Sequence, residues 1–346
     1  MKKILYKTFS RRAHHENSSR RCPSVCQYEL TFGCDYHCNY CFADCHNNAA
    51  STAKELCTEG VKAVLKEMGR AGVLWVCFTG GDPLTRGDFR EIYSFAKRRG
   101  FIITIFTNGY RMDEEMAGFL KKNPPFAIEI TLNAVTGALY ERISQKRGSF
   151  EKAMRGIELA AGAGLPLKLK TQVTKDNLAE IEGIRSFAKK AGVPHGFSTR
   201  LFCRLNGDAH PCGLRISPAE ILSLRGKAEK RPCPEDGRRN HSESLFRCQG
   251  GKGGGVNVDP YGKAFFCHLI REPSFRLLET GLGAALEAFS RHRNAEIAPD
   301  SKCRGCAVRD RCRICPGIAF LETGRMDAPV EYFCDLANAE AGRELL

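Results

Sequence analysis

Cys34, Cys38 and Cys41 lie within eight residues, in the segment Cys34-Asp35-Tyr36-His37-Cys38-Asn39-Tyr40-Cys41. Three thiolates at x3 and x2 spacing can hold a cubane 4Fe-4S cluster while leaving its fourth iron without a protein ligand. A structural cluster would take four cysteines, so the count of three is itself an argument for chemistry at the metal, where an open iron can bind a small molecule. Zinc is the competing use of such a loop, with Cys45 as a fourth ligand one further x3 step along. Against zinc, the segment neither pairs two short cysteine hooks nor adds histidines at helical spacing. A disulfide framework fits less well still, because the chain is long and no apolar signal-peptide core follows Met1-Lys2-Lys3.

The elements around this loop have to position it. Residues 27–32, 74–78, 101–106, 127–132, 167–173 and 196–201 are expected as strands, being short, mostly apolar and bounded by Gly, Pro or Asn. Residues 53–68, 86–99, 114–122, 150–161 and 178–191 carry helical periodicity, and Ser149 and Asp176 are placed to cap the last two. Six βα units in a row imply an α/β fold with a parallel sheet, open or curled into part of a barrel, with function at the carboxyl ends of its strands. The three-cysteine loop follows the first strand, at such an end. After about residue 203 cysteines, glycines and basic residues dominate, and only 218–230 and 283–292 have clear helical periodicity. That composition suits a region organised by clusters rather than by a deep apolar core.

At 346 residues with 18 cysteines and no run long enough for a membrane span, the chain is expected to be cytoplasmic, carrying metal clusters in a reducing compartment. The net charge of +14 favours acidic partners, though a solvated basic surface accounts for most of it, and nucleic acid is not expected. Residues 1–21 carry Lys2, Lys3, Lys7, Arg11, Arg12, Arg20 and Arg21 against Glu16 alone, and are expected to be a flexible basic segment.

Further motifs fall after the expected strands: Thr79-Gly80-Gly81-Asp82-Pro83 after the second, Thr107-Asn108-Gly109 after the third, and Ile130-Thr131-Leu132-Asn133 at the end of the fourth. Glycines let backbone approach a ligand closely, and a carboxylate accepts hydrogen bonds from an ammonium. Together with C-x3-C-x2-C and Tyr40 before its last cysteine, these segments resemble the radical S-adenosylmethionine (radical SAM) enzymes. The resemblance implies that the open iron chelates the amino and carboxylate groups of the methionine moiety. It casts Thr79, Gly80, Gly81 and Asp82 as the GGE motif with Asp for the usual Glu, and Thr107 as part of a family loop. Thr131 would supply a hydroxyl near the ribose, although Asn133 and Ala134 depart from the family pattern at that strand end. Arg147, or Arg142 in its place, would pair with the methionine carboxylate, and Tyr40 would lie beside adenine.

In the second half, Cys248 is followed after thirteen residues by Gly262 and then Cys267, and later come Cys303, Cys306, Cys312, Cys315 and Cys334. This resembles the SPASM extension, which binds two auxiliary 4Fe-4S clusters, with x2 before Cys315 where x3 is usual. The resemblance assigns Cys303, Cys306, Cys312 and Cys334 to one cluster and Cys248, Cys267 and Cys315 to the other. For the latter, Cys233, Cys212 or Cys203 would be the fourth ligand, or the iron would be open. Taken alone, the hook from Cys303 to Cys315 also suits a zinc ribbon. Glycines 250, 251, 253, 254 and 255 would let amides point at cluster sulfurs. Cys57 and Cys77 are expected to be small buried hydrophobes, and Cys22 and Cys26 have no assigned role.

The expected architecture is therefore a radical SAM partial (β/α)6 barrel over 22–203 and a small, cysteine-rich, cluster-binding domain over 204–346. The resemblance implies reductive cleavage of S-adenosylmethionine to a 5′-deoxyadenosyl radical that abstracts a substrate hydrogen. The first expected substrate is a ribosomally synthesised peptide to be crosslinked or oxidised. A separate leader-recognition protein and a flavodoxin or ferredoxin donor are expected with it. The alternatives are tailoring of a haem or other cofactor precursor and, in a different class, a non-catalytic iron-sulfur electron carrier.

Overall fold

The structure, a computed structural model, describes residues 5–19, 23–225, 243–248, 254–309, 312 and 315–343. Six parallel strands form the barrel wall: β1 (Val25–Thr31), β2 (Trp75–Gly80), β3 (Ile102–Thr107), β4 (Ala127–Thr131), β5 (Leu167–Gln172) and β6 (His195–Ser198). They follow the six expected runs to within a few residues. Each of β1 to β5 sends alternate residues to the surrounding helices, and those are the apolar ones: Tyr28 and Leu30, Val76 and Phe78, Ile103 and Ile105, Ile128 and Ile130, then Leu167 and Leu169. Helices meet this layer with stripes such as Phe89, Ile92, Tyr93 and Ala96 from Phe89–Arg98, and Val61, Val64, Leu65 and Met68 from Thr58–Arg70. Each such burial contributes about 1.5–3 kcal/mol. The opposite face of the sheet carries Cys77, Thr79, Thr104, Phe106, Glu129, Thr131, Lys168 and Lys170, so the inside of the curl is polar.

The sheet does not stop at the expected boundary near residue 203. Strands β7 (Gly255–Val258), β8 (Lys263–Phe265) and β9 (Phe275–Arg276) extend it in the order β6-β5-β4-β3-β2-β1-β7-β8-β9, with β7 parallel to β1. A buried ion pair fixes this seam: Arg271 donates to both carboxylate oxygens of Glu29 at 2.7 and 2.8 Å and lies over the Phe32 and Phe265 rings. Removing one partner of such a pair leaves the other charge buried and uncompensated. Arg271→Ala is therefore expected to cost about 3–5 kcal/mol, read as a lowered urea midpoint. Farther along, Arg215 donates to the Leu201 carbonyl and to Glu322, and stacks on Tyr332, tying the helices Pro316–Thr323 and Glu331–Arg343 to the barrel.

Residues 6–19 form a helix, where a flexible basic segment was expected. Its aromatic side chains find a partner that composition alone hides: the Trp75 indole donates to the Tyr6 hydroxyl at 3.0 Å and is flanked by Phe9 and by a stacked His14 ring. His14 is also bonded to Ser24 at 2.7 Å. Trp75 opens β2, so this helix covers the end of the barrel away from the cysteine loop. No helix among the described residues is long and apolar enough to cross a membrane.

Candidate active site

The loop after β1 is held in place from four sides. The Asn47 side chain accepts from the Cys34 amide at 3.0 Å and donates to the carbonyls of Cys34 and Tyr36. Backbone amides of His37 and Asn39 donate to the Ser144 and Ile143 carbonyls at the end of the helix Gly137–Ser144. Arg111 grips Asp35 with two bonds of 2.8 Å, and Glu55 accepts from the Thr31 hydroxyl and the Phe32 amide. With its backbone so committed, the loop presents Cys34, Cys38 and Cys41 together to one cleft.

That cleft has a volume of about 1030 Å³, including the part open to solvent. The cysteines share it with Tyr36, Tyr40, Thr79, Gly81, Phe106, Thr107, Asn108, Glu129, Thr131, Asn133 and Lys170. The Cys34 sulfur accepts N–H bonds from the Tyr36 backbone and the Asn108 side chain, each at 3.5 Å. Bonds of this kind stabilise sulfur carrying negative charge and tune an iron-sulfur centre. Burial pushes all three thiols up, Cys41 to about 11, with neighbouring thiols or Asp82 adding to it for Cys34 and Cys38. Without a cation the thiols stay protonated, so iron uptake must release their protons. Among the described residues no three Cys, His, Asp or Glu donors converge as one metal ion requires. Three soft thiols spread around a cleft suit a polynuclear iron-sulfur cluster better than a single zinc ion. Cys45 is turned away, its thiol 3.9 Å from the Phe42 carbonyl.

The other expected site residues divide. Thr79, Gly81, Thr107 and Thr131 line the cleft, and so does Tyr40, whose hydroxyl accepts from the Asn133 side chain at 2.7 Å. Asp82 and Gly80 lie behind the lining. Asp82 is fully buried, and its carboxylate accepts from the Leu84 amide at 2.9 Å and from the Thr107 hydroxyl and Asn108 amide at 2.7 Å. Burial pushes it up to about 6 against those three donors. Through these bonds Asp82 holds the Thr107-Asn108 turn against the cysteine loop. Arg147, in the turn before the helix Ser149–Gly162, and its competitor Arg142, on the helix Gly137–Ser144, are both exposed and outside the lining.

Asn108, Asn133, Glu129 and Lys170 were missed. Asn133 joins three segments: it donates to Tyr40, accepts from the Gln172 amide at 2.9 Å, and its carbonyl accepts from Asn177. The alternation in Leu167-Lys168-Leu169-Lys170-Thr171-Gln172 was the available signal for charged inward positions.

In the second half, electrostatic contacts link Cys267 and Cys315 with Cys248, and Cys334 and Cys303 with Cys312 and Cys306. Burial, with the neighbouring Cys315 and Cys248 thiols adding to it, raises the Cys267 thiol to about 11; Cys248 acts on Cys315 likewise. Burial and the thiols of Cys312, Cys303 and Cys306 raise Cys334. Cys203 and Cys212 face each other instead, with sulfurs 3.5 Å apart. Cys26 is fully buried in β1. Cys57 caps the helix Thr58–Arg70 and is exposed, and Cys77 is only partly covered on the inner face of β2, so neither is the buried hydrophobe expected. Cys22, Cys233 and glycines 250, 251 and 253 lie outside the described residues, as does the expected helical stretch beyond Arg225. Gly254 and Gly255 serve the β1–β7 seam: Gly254 accepts from the Val25 amide, and Gly255 is paired with Val25 in the sheet.

Residues 28–188 match the Radical SAM superfamily. The AdoMet-dependent heme synthase of Methanosarcina barkeri is 26% identical over 337 residues, covering 87% of this chain and 93% of that one. The PqqA peptide cyclase of Gluconobacter oxydans is 27% identical over 325 residues, covering 87% of this chain and 88% of that one. Among solved structures, Streptococcus suis SuiB bound to precursor peptide SuiA has the same fold, with a TM-score of 0.71 over 97% of this chain and 83% of that one, at 15% identity. The three-cysteine cleft at the carboxyl end of a partial barrel thus lies within residues 28–188, the segment that matches the Radical SAM superfamily and forms a radical SAM domain.

Proposed function

We propose that this enzyme matures a ribosomally synthesised peptide, abstracting one hydrogen so that the peptide is crosslinked or oxidised. The observation that carries this reading is the continuous course of the chain from the cleft into a second half with two further cysteine groups, over which PqqA peptide cyclase aligns for 87% of the chain. When bound at Cys34, Cys38 and Cys41, a reduced 4Fe-4S cluster supplies the electron that cleaves S-adenosylmethionine to the hydrogen-abstracting radical. The protein's part is to position and to exclude water. Thr131 and the Thr79–Gly81 edge offer polar contacts for the nucleoside side of the ligand, and Tyr40, fixed by Asn133, forms the wall beside the cysteines. Asp82 keeps Asn108 bonded both to its own carboxylate and to the Cys34 sulfur.

In this proposal Cys303, Cys306, Cys312 and Cys334 hold one auxiliary cluster, and Cys248, Cys267 and Cys315 hold another. A flavodoxin or ferredoxin supplies electrons in the cytoplasm, and a separate protein presents the leader. Full-length similarity to the M. barkeri heme synthase supports a second reading, oxidation of a haem precursor.

Anaerobically reconstituted enzyme, given reductant, S-adenosylmethionine and the peptide encoded by a short reading frame beside the gene, is expected to form 5′-deoxyadenosine and a peptide lighter by a pair of hydrogens, read by mass spectrometry. Formation of 5′-deoxyadenosine with product only from a tetrapyrrole would replace this reading with the second.

A further inference from the structure

We propose that Lys168, Lys170 and Glu129 form a subsite on the inner wall of the barrel that takes a carboxylate of the substrate; only the source of that carboxylate rests on the peptide reading. The three residues occupy inward positions of β4 and β5, with Glu129 in register with Lys168 and Thr131 with Lys170. Neighbouring inward positions on β2 and β3 hold the uncharged Cys77, Thr104 and Phe106. The Lys170 ammonium stands 2.5 Å from Glu129 Oε2, off the line of a hydrogen bond, and 3.5 Å from the centre of the Phe106 ring. The Lys168 ammonium is 3.4 Å from Glu129 Oε1.

One carboxylate is thus shared by two ammoniums, leaving an excess positive charge on a concave wall. The exposures show which way the charge faces: the Glu129 side chain is 14% exposed, those of Lys168 and Lys170 43% and 41%. Glu129 anchors the lysines from behind while their ammoniums remain open to an incoming anion. Charge-assisted hydrogen bonds in such a recess are worth more than on an open surface.

The methionine carboxylate of S-adenosylmethionine is the competing anion, and depth argues against it. The cysteine loop lies beyond the carboxyl ends of the strands. The Glu129–Lys168 rung lies two residues below Thr131–Lys170, about 7 Å further into the barrel. An anion reaching that rung comes from a molecule inside the barrel, where a substrate C–H must lie.

The test uses cluster-loaded protein with S-adenosylmethionine and two probe pairs: end-capped, rhodamine-labelled decapeptides with a central Glu or Gln, and coproporphyrin or its methyl ester. Equilibrium binding is expected to favour the Glu peptide by about tenfold. Lys168→Gln and Lys170→Gln should bring the pair towards parity, and Glu129→Gln, which frees both ammoniums, should widen the preference. That gain cannot come from misfolding, and iron content and circular dichroism check the lysine variants. If only the porphyrin pair shows the lysine-dependent preference, the carboxylate subsite stands and the peptide reading falls. Equal binding of acid and neutral probes in both pairs overturns the proposal. So does an acid preference that survives both lysine variants while S-adenosylmethionine affinity drops.

Discussion

With alanine at Cys34, Cys38 and Cys41 together, the enzyme is expected to form no detectable 5′-deoxyadenosine and to lose about four irons per chain, while Cys45→Ala leaves both near the wild-type level. The three thiols are the soft donors in the cleft lining, and no hydroxyl or amide there substitutes for a thiolate as an iron ligand. The loop itself should survive the change. Apart from the two 3.5 Å contacts from Tyr36 and Asn108 to the Cys34 sulfur, its bonds run through the Cys34 backbone to Asn47, through Asp35 to Arg111, and through the His37 and Asn39 amides to the helix Gly137–Ser144, none of them using sulfur. Loss of activity with retained circular dichroism would therefore report missing ligands, whereas a simple collapse would remove both. Cys45 separates the open-iron arrangement from a four-cysteine site. Its thiol points at the Phe42 carbonyl and is absent from the cleft. If Cys45→Ala cost the same iron as the triple variant, the vacant iron would be filled by protein and the basis for cofactor cleavage would go.

The barrel was legible because each of its strands is short, apolar on one face and punctuated by Gly, Pro or Asn, and each returning helix carries a wide apolar stripe. The cleft end was legible for the same reason, since motifs that follow strands must gather at one rim. What escaped depends on pairing that no local pattern encodes. Strand β7 is four residues, Gly-Val-Asn-Val, behind a glycine-rich stretch, and it is its ladders with β1 and β8 that make it a strand. The helix Tyr6–Ser19 was hidden by its charge, because Trp75, the surface it packs on, is distant in sequence. Asp82 and Arg147 both carry the functional groups that the family resemblance required, yet sequence cannot say which way a side chain faces. Asp82 turned inward to backbone donors, and Arg147 turned to solvent. Lys168 and Lys170 were visible only as alternation within β5, which marks a polar inner face without assigning it a purpose.

Gly81→Ala is the backbone change expected to do most harm. At Gly81 the loop after β2 crosses the loop after β1, with the Gly81 amide bonded to the Thr31 carbonyl at 2.8 Å and the Asp82 amide to the Gly33 carbonyl at 2.9 Å. A methyl on Gly81 would lie 2.3 Å from the Gly33 oxygen and 2.5 Å from the Phe32 oxygen. Both obstacles are backbone, so no rotamer change relieves the clash, and the two loops must part by about 1 Å. Parting them breaks the Asp82 amide bond and shifts Gly33, whose neighbour is Cys34, the cysteine that also receives Asn108. The expected cost is about 3 kcal/mol or more, read as a lowered urea midpoint, together with incomplete iron loading at the cleft and weakened S-adenosylmethionine binding. Gly118→Ala is the control. It lies within the helix Glu114–Lys122 with nothing within 4 Å of an added methyl, and should stabilise by up to about 1 kcal/mol through helix propensity. Equal behaviour of the two variants would mean that the crossing of these loops does not set the position of the cysteine ligands, and the placement of Cys34 would need another cause.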